Sequence, residues 1–456
     1  MGPRSRKNEE SAADAMSKRA ARHRRTRRAA SRARKGSRTR SQWNGAVRKS
    51  GRTRRRYTSG RARVVAGGGA QLAPLPVAPP PPELEGMPGV QIVGFSRSDS
   101  GLGEACRLQA ASLLSAGVPA SIISCDSLSM GNASDLSWAH LEIGAPVHKC
   151  TIMQFNPDYM LHVLGRLGHQ LVDRKHTIGY WHWEMTDIPD SWSDSWPYVR
   201  EIWTPSRFVR DVVAMKSPVP VLTMPYGIAV PAARGVQQSS RAAYGLPDDS
   251  FLFLTMFDTH SFVERKNPIG ALDAFLHAFG AINPAVGLVV KANHANAGGA
   301  ALELLKQRIA GCRNVYWIEA PMTRQQTAGL LACCDAYVSL HRAEGFGLAI
   351  AEAMAMSKPV IATDWSGNTD FLQLGNGCPV RYTLVPNPVT VGPYQAGGWW
   401  ADPDLRHAAS YMEQLVSNRG IGYRLGAAAS HTIASLYNPA VLGAAMRSRL
   451  TEIGVL

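Results

Sequence analysis

The chain has 456 residues, 45% of them apolar, and a formal net charge of +16. That length exceeds what one hydrophobic core fills, so two domains with appendages are expected. It contains no run of 18 apolar residues and no apolar N-terminal stretch, which excludes a membrane-spanning helix and a secretory leader from the expected elements.

The charge is concentrated at one end. Residues 1–65 hold 23 Lys and Arg against 3 Asp and Glu, and the rest of the chain nets −4. The tail, with runs such as "ARHRRTRRAASRARKGSRTR", has too few large apolar residues to offset its ordering entropy. A Gly-rich and then Pro-rich spacer follows it. Residues 1–86 are therefore expected to be a disordered basic tail and linker. With only Trp43 and Tyr57 as aromatic residues in its first 65, the tail would bind polyanions without specificity and in a salt-sensitive way. No specific nucleic acid is expected as a partner, whereas peripheral contact with an anionic membrane is physically reasonable. Met87, just before the first strand, offers a second start that would leave the tail untranslated. Seven scattered cysteines without C-x-x-C spacing argue for a reducing, cytoplasmic setting and against a structural zinc.

From residue 90 onward short β-rich runs alternate with helical patterns. "VQIVGF", "ASIIS", "CTIMQF", "HTIGYW", "EIWTP" and "VLTMPYG" form a first series of strands. After "GIAVPAARGVQQSSRAAYGLPDDS" (227–250), a second series runs "FLFLTMF", "VGLVVKA", "NVYWIEA", "AYVSL" and "PVIATDW". Such alternation predicts α/β architecture with parallel sheets, here two Rossmann-like doubly wound domains facing a cleft. In such folds ligands bind beyond the carboxyl ends of the strands.

The stretch "HRAEGFGLAIAEAM" (341–354) follows the strand "AYVSL". Glu344 and Glu352 are the only charged residues from Ala343 to Ser357, and neither has a Lys or Arg at helix-pair spacing. A solvated helix face would carry more polarity, so hydroxyl or amide donors on a ligand account better for two such carboxylates. The helix is expected to begin at Gly347 or Leu348 and run to Met356, with Glu344 in the loop before it and Glu352 one turn inside. Glycines permit close backbone approach, and free N–H groups at the helix start suit a phosphate.

This stretch resembles the retaining group-1 glycosyltransferases of the family 4 type, which carry an E-x(7)-E signature on a GT-B fold. "SLHRAEGFGLAIAEAMAMSKPVIAT" combines the strand, the E-G-F-G turn, the helix, the second Glu and the returning strand of that family. "FDTHSFVERKNPIGALDAF" (257–275), "GYWHWEMTDIPDSW" (179–192), "EIWTPSRFVRD" (201–211) and "WADPD" (400–404) agree with it. The resemblance implies an N-terminal acceptor-side domain at 87–230, a nucleotide-sugar donor domain at 231–430 and a C-terminal helix at 431–456 crossing back. It further implies that Glu352 holds the donor ribose and Glu344 the transferred sugar, with Gly345, Phe346, Gly347 and Leu348 lining sugar and diphosphate. Lys266 would bind the diphosphate. The family's arginine five residues earlier is replaced by Ser261, with Arg265 as the substitute cation.

Across the cleft, Gly101 and Gly103 in "GFSRSDSGLGEACR" would approach donor and acceptor, and His182 and Glu184 would face the reaction centre. His341, beside Glu344, joins the substrate-binding candidates. A packing role is the plain alternative for both histidines. His182, Glu344 and Lys266 form the expected catalytic group. The resemblance implies transfer of a hexosyl or deoxyhexosyl unit to a saccharide or lipid-linked saccharide hydroxyl, with retention and with neither cofactor nor metal. Polysaccharide or glycolipid assembly is its usual setting. Two other readings stay open: a GT-B nucleotide-sugar epimerase or phosphorylase, and a non-catalytic nucleic-acid-binding protein acting through its tail.

Overall fold

The computed structural model describes residues 83–128, 133–229 and 240–456. The expected disordered tail, up to residue 82, and part of the expected boundary between domains lie outside the described residues. Pro79–Leu456 form one compact unit.

The first half builds β1 (Met87–Gly94), α1 (Gly101–Ser115), β2 (Ala120–Ser124), β3 (His148–Met153), α2 (Pro157–Leu167), β4 (His176–Tyr180), β5 (Glu201–Thr204), α3 (Arg207–Ala214) and β6 (Val221–Thr223). These strands form a parallel sheet in the order β2-β1-β3-β4-β5-β6. The second half runs β7 (Phe251–Asp258), α4 (Val263–Lys266), α5 (Pro268–Phe279), β8 (Val286–Asn293), α6 (Gly299–Ile309), β9 (Val315–Ile318) and α7 (Arg324–Cys333). It continues through β10 (Ala336–Ser339), α8 (Leu348–Ala355), β11 (Val360–Thr363) and β12 (Cys378–Val380). Its parallel sheet has the order β12-β11-β10-β7-β8-β9. The α/β class and the paired doubly wound sheets are thus as expected. Near-continuous apolar runs make these strands: β7 and β8 are buried along almost their whole length, as sheets covered by helices on both faces require.

Two additions are absent from the sequence reading. β12 is the three-residue "CPV", too short and too proline-marked to read as a strand. An antiparallel hairpin, β13 (Tyr382–Pro386) with β14 (Trp399–Pro403), follows it, and β13 buries none of its residues fully. Without a buried face there is no alternation for sequence to show.

The chain then forms α9 (Leu405–Ser417), α10 (Arg419–Leu436) and α11 (Pro439–Glu452). α11 packs on α1 of the first half, where a Cβ on Gly443 would meet the Ser112 carbonyl at 2.0 Å. Arg449 reaches Glu201 at the start of β5, donating from Nη2 at 2.6 Å and Nε at 3.1 Å. Glu201 also accepts from Trp203 Nε1 at 2.8 Å, and its side chain is 2% exposed. Arg449→Ala would leave this buried carboxylate without its cation, an expected loss of about 3 kcal/mol. Urea unfolding followed by tryptophan fluorescence checks this, and an unchanged midpoint would refute the role given to the pair.

Candidate functional site

In the second sheet β7 lies between β8 and β10, so successive crossovers leave it in opposite directions. The loops beyond the carboxyl ends of β7 and β10 therefore splay apart, and the gap at such a switch point is where ligands bind. The loop after β7 carries Arg265 and Lys266; the loop after β10 carries Glu344. Asn267 ties the two together. Held at φ 52°, it accepts from the Gly270 N–H at the start of α5 and donates to the Leu340 carbonyl at 2.8 Å.

Arg265 is 3% exposed. Its Nε donates to the Ser261 carbonyl at 3.1 Å and its Nη1 to the Ala343 carbonyl at 2.9 Å. Nη1 also lies 3.5 Å from Glu344 Oε2 and 3.7 Å from Glu184 Oε1. Burial opposes the guanidinium charge, but Tyr394, Glu184 and Glu344 more than offset it, and its pKa is raised. Lys266 Nζ lies 2.5 Å from Glu344 Oε1; burial lowers its pKa against the pull of that carboxylate. Burial works against Glu344 ionising too, yet Lys266 and Arg265 together hold its carboxyl at about 2.

The backbone of Glu344 is equally constrained: its N–H donates to Ser366 Oγ at 2.8 Å and its carbonyl accepts from Gly367 N–H at 2.9 Å. The Gly345 carbonyl accepts from Ser206 Oγ of the first half at 2.7 Å. Phe346 is inserted between Tyr226, Phe371 and Tyr437. Gly347 has φ 93°, a conformation that favours glycine, and caps α8, which begins at the half-buried Leu348. Glu352 lies in α8 with a cation of its own, Arg324 Nη2 at 2.6 Å. The same Nη2 lies 2.8 Å from Glu104 of the first half. Burial raises the Glu352 pKa, Arg324 opposes this and Glu104 adds to it. The two glutamates thus occupy separate ion clusters.

On the first half, the segment after β4 alternates. Trp181, Trp183 and Met185 are buried, while His182 and Glu184 are half-buried on the other face. Trp192 packs edge-on against both tryptophans. Burial pushes His182 down to about 4, so the ring is neutral at pH 7. Its Nε2 pairs with the Tyr226 hydroxyl, and Nδ1 has no partner among the described residues. Glu184 accepts from the Tyr394 hydroxyl at 2.8 Å and looks toward Gly345 and Arg265. Gly103 is imposed by packing, because a Cβ there would fall 2.1 Å from the Ser98 carbonyl; Gly101 faces open space.

His341 is fully buried, with Nδ1 beside Ser339 and Nε2 beside Asn368 and the Trp365 carbonyl. It lies behind the loop, with both ring nitrogens engaged inside the protein. Sequence reasoning missed Tyr394, Arg324 and Ser206. The aromatic residue in the glycine-rich "VGPYQAGGWW" is the sole hint of the first. Asp258, His260 and His294 bring three potential ligand atoms within 4.8 Å of one another. The two rings stack at 4.3 Å, and His294 Nδ1 is hydrogen-bonded to Asp258 at 3.0 Å.

Residues 261–389, which include Arg265, Lys266, Glu344 and Glu352, match the family described as "Glycosyl transferases group 1". That match spans under a third of the chain, so residues 261–389 are similar to a group 1 glycosyltransferase domain. The structure is similar to Anabaena HepE in complex with UDP and glucose, at 12% identity over 80% of this chain and 99% of that one, with a TM-score of 0.55. It is also similar to sucrose-phosphate synthase from Thermosynechococcus elongatus (14% identity, 80% and 98% covered, TM-score 0.56). A glycosyltransferase from Rickettsia africae gives 14% identity, 80% and 98% covered, and a TM-score of 0.54. At these identities the likeness is one of fold, and that fold is GT-B. No curated protein sequence matches the chain. No described helix is long and apolar enough to cross a membrane.

Within the matched region, the depressed Glu344 pKa has a stability consequence. The folded value of about 2 lies below the ordinary 4.5, so the stabilisation is complete above pH 4.5 and is lost as pH falls toward 2. Acid unfolding of Glu344→Gln is expected to be less steep than that of the wild type in this window. Identical profiles would show that the ion cluster contributes nothing to acid sensitivity.

Proposed function

We propose that the protein is a retaining glycosyltransferase that moves a hexosyl or deoxyhexosyl unit from a nucleotide diphosphate sugar to a hydroxyl acceptor. The observation that carries this reading is the Arg265–Lys266–Glu344 cluster at the switch point, inside the region matching the family. A buried carboxylate held ionised at about 2 is an acceptor for sugar hydroxyls, and two adjacent cations suit a diphosphate. HepE, of the same fold, was crystallised with UDP and glucose.

In this reading Lys266 turns from Glu344 to the diphosphate, and the freed Glu344 oxygen takes a hydroxyl of the transferred sugar. Backbone N–H groups at the start of α8 face the phosphates. Arg324 is half exposed, and its displacement frees Glu352 for the ribose hydroxyls. The bond from the anomeric carbon to the diphosphate oxygen breaks, and the bond to the acceptor oxygen forms on the same face. The acceptor proton passes to the departing diphosphate. Lys266 and Arg265 stabilise the charge that develops there without help from a metal. Neutral His182, whose buried Nδ1 has no partner among the described residues, becomes a hydrogen-bonding partner for the sugar once the site opens to it. A saccharide or lipid-linked acceptor fits the family habit, and residues 1–86 would bring the enzyme to an anionic membrane surface.

A thermal-shift screen over nucleotide diphosphate sugars is expected to single out one donor. Glu352→Gln should remove that shift; a variant that keeps it would refute the ribose assignment. Lys266→Ala is expected to lower transfer by about 10²–10³-fold. A donor altered equally with and without acceptor would instead indicate an epimerase.

A further inference from the structure

The hairpin β13–β14 and its connecting loop belong to the donor half by sequence, yet they are clamped onto the first half. Trp400 Nε1 lies 2.7 Å from Met185 Sδ. A Cβ on Gly398 would fall 2.3 Å from Met185 Cε, and one on Gly392 would fall within the Phe262 ring contact at 1.9 Å. Gly392, at φ 56° against the Phe262 ring, is required there, whereas the flexible end of Met185 could yield to a Cβ at Gly398.

The loop delivers one side chain to the cleft. Tyr394 is 5% exposed, set between the rings of Phe262, Trp183 and Trp400, with the Arg265 guanidinium 5.8 Å from its ring centre. Its hydroxyl donates to Glu184 Oε2 at 2.8 Å. The other Glu184 oxygen lies 3.7 Å from Arg265, beyond hydrogen-bond range, and points over Gly345. Glu184 keeps 17% of its side chain exposed, so it remains open to the cleft. Two carboxylates therefore flank Arg265 from opposite halves, Glu344 from the donor side and Glu184 from across the turn.

We propose that Tyr394 is a positioning residue which fixes the Glu184 carboxylate so that its free oxygen receives the acceptor hydroxyl opposite the sugar held by Glu344 and Gly345. This rests on the transferase reading above. Glu184 accepts a hydrogen bond and orients the acceptor oxygen; it takes no proton, which still leaves with the diphosphate. Without the phenol, Glu184 has no hydrogen bond to hold it, and the long contact to Arg265 leaves it free to swing. The ring alone accounts for the packing, so Tyr394→Phe separates the two roles.

With the donor identified by its thermal shift, Tyr394→Phe is expected to leave that shift and the slow hydrolysis of donor by water unchanged. The kcat/KM for acceptor should fall about tenfold. Glu184→Gln should lower acceptor use at least as much, and the double variant should be no worse than Glu184→Gln alone, because the tyrosine acts through the glutamate. Additive losses, or a donor shift lost together with acceptor use, overturn the proposal while leaving the transferase reading intact. A wild type that transfers nothing overturns both.

Discussion

A buried guanidinium constrains everything around it. Arg265 has lost its water, and a charge without water is tolerated only where dipoles and counter-charges surround it. Here they come from four segments: the Ser261 and Ala343 carbonyls, Glu344, Glu184 and the face of Tyr394. Those segments are the loops after β7, β10 and β4 and the hairpin loop. Satisfying one cation therefore brings both halves of the molecule to a single point, the switch point of the second sheet.

The same cluster is balanced before any ligand arrives. Arg265 and Lys266 face Glu184 and Glu344, two cations against two carboxylates. In the proposed reading a diphosphate entering this place competes with Glu344 for Lys266, so binding the donor and freeing a carboxylate for its sugar are one exchange. The same reading puts a second exchange at Arg324, which bridges Glu104 and Glu352 across the halves. Ion pairs of this kind satisfy a polar site from within and hold its groups in place.

Much of this was legible in the sequence. The alternating apolar runs carry ten or more buried strand positions each side of the cleft, because a sheet covered on both faces must be apolar throughout. The start of α8 at Leu348 follows from Gly347, and the isolation of Glu344 and Glu352 among apolar neighbours marks both as unusual carboxylates. The hairpin was not legible, since β13 lacks a buried face, nor was Tyr394, whose partner is 210 residues away. His341 looked like a ligand group by adjacency, yet the chain turns between it and Glu344 and sends the ring inward to Ser339 and Asn368.

By itself the sequence determined the strands of the two parallel sheets other than β12, which loops bear charge, and that Lys266, Glu344 and Glu352 stand out from their surroundings. These are local properties, set by periodicity, glycine geometry and the cost of an unpaired charge in an apolar stretch. Tertiary structure alone decided the pairings: Lys266 with Glu344, Arg324 with Glu352 and Glu104, Tyr394 with Glu184. Partners so far apart in the chain meet only because strand order places their loops at one edge, and no local pattern encodes that order.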